Sequence, residues 1–218
     1  MKHLICQAPG DDGFDWDFGY TGRMQFLVLQ QDVAYPAPQD MNGFEADNDP
    51  AGSGNTPISE PTIYNVTLCG QDYNVGQQYG ALLRKNTRAH IFNAIVSGFE
   101  AGVDVRNASG PLLEFESSVF FGNTRTAYPE DQPSPYNDDD VMFDEAAWLS
   151  LPANSNSFAD PQVAGCDDMA TLDLAPGIPV VGATSPADGF FDAAPYAGAF
   201  ADAADDWATG EWVVWQAF

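Results

Sequence analysis

Three stretches of the chain spell one strand and stop it with a glycine: TIYNVTLCG (62–70), HIFNAIVSG (90–98) and EFESSVFFG (114–122). Self-similarity at a spacing of a few tens of residues constrains a fold more than any local propensity. Aligned on Gly70, Gly98 and Gly122, the stretches place Ile63, Ile91 and Phe115 in one column. Asn65, Asn93 and Ser117 form a second, Val66, Ala94 and Ser118 a third, and Leu68, Val96 and Phe120 a fourth. MQFLVLQQD (24–32) is a weaker forerunner.

A second strand precedes each of these and begins at a glycine: GFDWD (13–17), GFEAD (43–47), GALLR (80–84) and GVDVR (102–106). Side chains alternate along a strand with period two. One face therefore carries Phe14, Phe44, Ala81 and Val103, then Trp16, Ala46, Leu83 and Val105. The other carries Asp15, Glu45, Leu82 and Asp104, then Asp17, Asp47, Arg84 and Arg106. The first set is wholly apolar and the second polar except for Leu82. An all-β sandwich also shows short alternating strands, but it does not require matching columns. Two strands per unit with a polar turn between them predict the coil of a right-handed parallel β-helix, of which about four are recognisable. Each coil buries its apolar face only by stacking on its neighbours. In that stack Asn65 and Asn93 occupy an inner turn, where asparagine tolerates left-handed geometry and amides can bond along the ladder. The closing glycines suit tight corners.

The run DDGFDWDFGYTGRMQFLVLQQ, GFEADND, PTIYNVTLCG and ALLRKNTRAHIFNAIVSGFEAGVDVRN resembles a family of bacterial right-handed parallel β-helix repeat proteins. FADPQV, SPADGFFDAAPYAGAF and DDWATGEW resemble that family's closing segment. The resemblance implies a fold, and an extracellular or cell-surface location, because such proteins are mostly secreted or lipid-anchored. It implies no chemistry, since their activity is generally unassigned.

The pattern predicts β-helix coils over 1–122 and, over 123–218, a loop, a short helix and a capping wrap on the same domain. In DDVMFDEAAWLSLP, Asp140 is the expected N-cap, with Phe143, Ala147 and Trp148 on one face. Residues 153–218 read as a long wrap that covers the flank or end of the stack and protects its open edges. Trp207, Trp212, Trp215 and Phe218 in it anchor the segment or, if exposed, stack on sugar rings. Cys6, Cys69 and Cys166 are odd in number and far apart, so the spacing indicates neither a disulfide framework nor a zinc ribbon. Cys69 reads as a buried thiol. MKHLIC is too short for a signal peptide's apolar region, and no apolar run reaches the length of a membrane span.

Charge narrows the function classes. Twenty-four Asp and eight Glu stand against seven Lys and Arg, a net charge of −25. Such a surface repels nucleic acid and anionic membranes, which need clustered Lys and Arg. It attracts cations, and it suits a high-salt habitat, where screening relieves self-repulsion. At a strand spacing of about 4.8 Å, Asp15 would lie beside Glu45 and Asp17 beside Asp47, with Asp11, Asp12 and Asp49 near. Carboxylates so placed destabilise one another unless a cation, proton or arginine intervenes. Asp15, Asp17, Glu45 and Asp47 are therefore candidate Ca2+ ligands. The same four, with Arg84 or Arg88, could instead serve a polysaccharide lyase or glycosidase, in which carboxylates act as general acid and base. A plain Asp47–Arg84 ion pair is the simpler outcome, contributing under about 1 kcal/mol if exposed. No histidine-rich metal site, G-x-S-x-G elbow or phosphate loop occurs. The leading expectation is a non-catalytic extracellular or surface module, binding Ca2+ or polysaccharide or forming a homo-oligomer end-on or laterally. The alternatives are a carbohydrate-active enzyme, and acidity that reflects habitat alone.

Overall fold

The computed structural model describes every residue except 33–40, 50, 52–53, 71–77, 107–111, 128–142, 167, 171 and 214–218. Its strands are β1 (Lys2–Gln7), β2 (Phe14–Trp16), β3 (Arg23–Gln30), β4 (Phe44–Asp47), β5 (Thr62–Cys69), β6 (Tyr79–Arg84), β7 (Ala89–Ser97), β8 (Ala101–Arg106), β9 (Leu113–Glu116), β10 (Val119–Phe120) and β11 (Arg125–Ala127). They fall into two parallel sheets between which the chain alternates. Sheet A has the order β1-β3-β5-β7-β10, with β9 also on β7, and sheet B the order β11-β8-β6-β4-β2. Each strand therefore lies on the equivalent strand of the next repeat.

The columns are the observed register. Ile63 pairs with Ile91 and Ile91 with Phe115, while Phe14, Phe44, Ala81 and Val103 follow one another across sheet B. Their side chains form one core with Leu27, Leu29, Val66, Leu68 and Val96, most of it without solvent contact. Fully burying a side chain of this size stabilises by about 1.5–3 kcal/mol, so a one-residue slip, which would turn every column outward, is strongly disfavoured. One strand was not expected from the sequence: β1 covers KHLICQ, and it places Leu4 and Cys6 against the core. At the other end β11 carries sheet B past Gly122.

Every sheet-A strand bends at the same place. His3, Phe26, Asn65, Asn93 and Ser117 have φ between 51° and 60°, the left-handed region that asparagine tolerates best among these residues. The two asparagine amides do not bond each other. Asn65 Nδ2 donates to the carbonyls of Tyr196 and Ala194, at 2.7 and 3.1 Å, and Asn93 Nδ2 to that of Ala183 at 2.9 Å. The ladder does supply one amide partner, since Gln25 Nε2 donates to Asn65 Oδ1 at 3.0 Å. The bend points these side chains at the C-terminal segment, whose carbonyls outcompete the neighbouring amide. Of the closing glycines, Gly98 and Gly122 have φ of 80° and 74°. The opening glycines have another cause: a Cβ would lie 2.5 Å from Gly102 O if placed on Gly80, and 2.6 Å from Thr126 O if placed on Gly102. Successive strands approach too closely there for a side chain.

The C-terminal segment buries the outer face of sheet A. Leu172, Leu174, Ala175, Ala199, Phe200 and Ala208 pack on Val28 and Cys69, and Ala197 packs on Ile95 and Val119. Cys69 is not a free thiol: it bridges Cys166 across 97 residues, tying β5 to this segment. Only the fold, which brings residues 69 and 166 together, could reveal that pairing. The short helix α1 (Glu145–Leu149) closes the far end, with Leu149 in the main core. Its N-cap is Asp144, whose Oδ1 accepts from Ala147 N at 2.8 Å; Asp140 lies outside the described residues. Phe143, Ala146 and Trp148 face the core, while Ala147 is exposed.

Candidate functional site

The outer face of sheet B holds the polar columns. Asp15 and Glu45 are register partners on β2 and β4, and Asp47, Arg84 and Arg106 on β4, β6 and β8. Arg84 ties the middle of this face together. Its Nε donates to Asp47 Oδ1 at 2.7 Å, and its Nη2 forms an ion pair with Glu45 Oε1. One guanidinium thus contacts two carboxylates on the neighbouring strand, a two-pronged contact that arginine's planar fork provides. The pairing is partly shielded, with side-chain exposures of 28% for Arg84 and 10% for Asp47. Loss of its cation would strand two partly buried carboxylates.

The electrostatics follow from that crowding. Burial pushes the Asp47 carboxyl up to about 6, Asp15 and Asp17 add to the rise, and Lys85 opposes it. Burial also raises Asp15, with Asp12 and Asp17 adding to it, and raises Asp12, which accepts from Asn42 N at 2.7 Å. The farther strands carry a second unit. Arg106 pairs with Asp104 at 2.7 Å and donates from Nη2 to Tyr79 Oη at 2.6 Å. Burial drives the Tyr79 hydroxyl far above its ordinary value.

Three of the expected site residues are therefore in direct contact: Glu45, Asp47 and Arg84. Asp15 is their exposed neighbour in register, and Asp17 lies exposed just beyond β2. Arg88 is elsewhere, at the entry to β7, where it pairs with Glu60 at 3.3 Å. Asp49 stabilises its own loop, accepting from Ala51 N and Asn55 Nδ2 at 2.7 and 2.6 Å. Arg84 contacts two of the four candidate calcium ligands, Glu45 and Asp47. Among the described residues, no group of three or more His, Cys, Asp or Glu is arranged to hold a metal ion. Sequence reasoning missed two participants. Tyr79 precedes the glycine that opens its repeat, and Glu145 reaches from α1 to accept from Val105 N at 3.0 Å. Alternation gives Tyr79 the parity of Ala81 and Leu83, so the sequence pattern assigns it to the apolar face. Nothing in the sequence marks Glu145.

Of the terminal aromatics, Trp207 is an anchor: its Nε1 donates to Ala199 O at 2.9 Å and its ring stacks on Phe200. Trp212 stacks on Trp207 but is 57% exposed. Trp215 and Phe218 lie outside the described residues. His90 bridges strands, its ring nitrogens 2.6 Å from Glu114 and 3.2 Å from Glu60. No helix among the described residues is long and apolar enough to cross a membrane.

A family model described as a pectate-lyase like beta helix domain matches residues 1–127, the segment that contains both sheets. No curated protein and no solved structure matches the chain.

Proposed function

Because the chain belongs to the pectate-lyase-like β-helix family, we propose that it is a non-catalytic, extracellular or surface-associated β-helix that binds polysaccharide along the outer face of sheet B. Its coil is right-handed, the hand that nearly all parallel crossover connections adopt. One observation carries the binding reading: Arg84 already holds Glu45 and Asp47. Carboxylates fixed in this way present rigid acceptors to sugar hydroxyls, with Glu45 the more open of the two. A net charge of −25 favours a neutral chain over an acidic one. The Cys69–Cys166 bridge supports the location, since disulfides persist in oxidising compartments.

The raised Asp47 carboxyl favours a second reading, in which Asp47 is a general acid and Asp15 its partner in hydrolysis. Calcium at Asp15, Asp17, Glu45 and Asp47 would have to displace Arg84. The test is affinity electrophoresis in gels containing neutral and acidic polysaccharides, with release of reducing or unsaturated ends measured on the same panel. Retardation by a neutral chain, weakened in Asp15→Asn/Glu45→Gln and without new ends, supports binding. New ends that vanish in Asp47→Asn would assign these residues to catalysis. No retardation anywhere would leave the acidity as adaptation to high salt and overturn the proposal. Saturable calcium uptake by calorimetry would support the metal reading instead.

A further inference from the structure

At the Met1 end of the core lies a cavity of about 440 Å³, with Phe14, Trp16, Tyr20 and Met24 in its wall and Asp15 and Asp17 also lining it. That volume lies within the roughly 300–1,000 Å³ typical of small-molecule sites. The wall is fixed before any ligand arrives. Trp16 and Met24 are only 5% and 4% exposed. Trp16 Nε1 donates to Thr87 Oγ1 at 3.1 Å, and its ring sits 5.5 Å from that of Phe44.

The chemistry of the lining selects its occupant. An anion would meet two carboxylates in a protein of net charge −25. A neutral apolar ligand would desolvate those carboxylates without compensating them. A metal ion would exchange its water shell for mainly aromatic walls that fall short of the six to eight oxygens calcium takes. A weakly hydrated organic cation satisfies both parts of the site, because aromatic faces attract cations and adjacent carboxylates neutralise them. Among the described residues neither Asp15 nor Asp17 is in an ion pair within the chain. Burial raises the Asp15 carboxyl and the negative charge of Asp12 and Asp17 adds to the rise, a crowding that a bound cation would relieve.

We propose that this cavity binds a ligand bearing an alkylated ammonium group, held against Phe14, Trp16 and Tyr20 and neutralised by Asp15 and Asp17. The cavity shares the two aspartates with the outer face of sheet B. Its aromatic wall is separate, so the proposal stands whether or not that face binds polysaccharide.

The test is calorimetric titration of the whole chain with choline and with 3,3-dimethylbutan-1-ol, which has the same shape without the charge. Choline is expected to bind saturably at one per chain, about tenfold more tightly than the alcohol. In Asp15→Asn/Asp17→Asn, two exposed positions where folding is not at stake, that preference should disappear. Tyr20→Leu, which keeps apolar bulk but removes a ring face, should weaken choline alone. Asp160→Asn/Asp202→Asn, which removes equal charge elsewhere, should leave binding unchanged. Vesicles of phosphatidylcholine separate the sources of the headgroup: co-sedimentation would indicate a lipid surface, and choline binding without it a free solute. Equal affinity for choline and the alcohol, no saturable choline binding, or equal loss in the distant pair would overturn the proposal.

Discussion

Asp47 should make the protein less stable as pH rises from about 4 to about 6. Its carboxyl is raised to about 6 in the folded state from an ordinary 3.8. Between those values the folded chain holds a proton that the unfolded chain has released, so unfolding becomes easier with increasing pH. A rise of about two units corresponds to about 3 kcal/mol at most. Asp47 borders solvent and faces Arg84, so screening should leave about half of that. The perturbation is Asp47→Asn, which fixes the neutral form at nearly constant shape. Urea unfolding of both proteins at pH 4.0, 5.0 and 7.5 gives their stability difference at each pH. Loss of the Arg84 contact shifts that difference by a constant, and its pH dependence belongs to Asp47 alone. Wild type should lose about 1.5 kcal/mol relative to Asp47→Asn between pH 4.0 and 7.5. A flat difference, or wild type gaining with pH, would refute the reasoning. It would mean that the 2.7 Å contact with Arg84 outweighs burial and keeps Asp47 ionised.

Other perturbations separate the causes of stability. Cys69→Ser opens a loop of 97 residues and should cost about 4–5 kcal/mol on a chain-entropy basis; dithiothreitol should abolish the difference in thermal midpoint from wild type. Asn93→Ala should cost about 3 kcal/mol, from the left-handed φ of 60° and the lost contacts with Ala183. Asn93→Gly should cost about 1 kcal/mol less in the same urea unfolding, because glycine removes only the conformational part. Gly80→Ala should destabilise by about 2–3 kcal/mol, and adding Val96→Ala should recover only part, since the clash with Gly102 O remains.

What could be read from the sequence was whatever depends on period. Alternation and the glycine marks placed Phe14, Phe44, Ala81 and Val103 in one file, because a strand's faces are set by parity and a stack repeats its register. The same logic brought Glu45, Asp47 and Arg84 together before any coordinates. It failed where no repeat carries the information. Lys2–Gln7 lacks the closing glycine of its successors, so a short apolar run did not identify itself as a strand. Cys69 and Cys166 are paired by the path of an irregular segment that has no periodicity. Arg88 is four residues from Arg84 but belongs to the other sheet, because the turn at Lys85 and Asn86, both at positive φ, separates them. Sequence proximity placed it in the site, and topology removed it.

The claim that the outer face of sheet B is the binding surface is tested most directly by amide chemical-shift mapping during titration with a neutral polysaccharide fragment. The account predicts shifts concentrated at Asp15, Glu45 and Arg84, the open positions of that face, with the wrapped face around Val28, Thr67 and Ile95 silent. Shifts confined to the wrapped face or the C-terminal segment would contradict it, as would an unperturbed spectrum at saturating fragment.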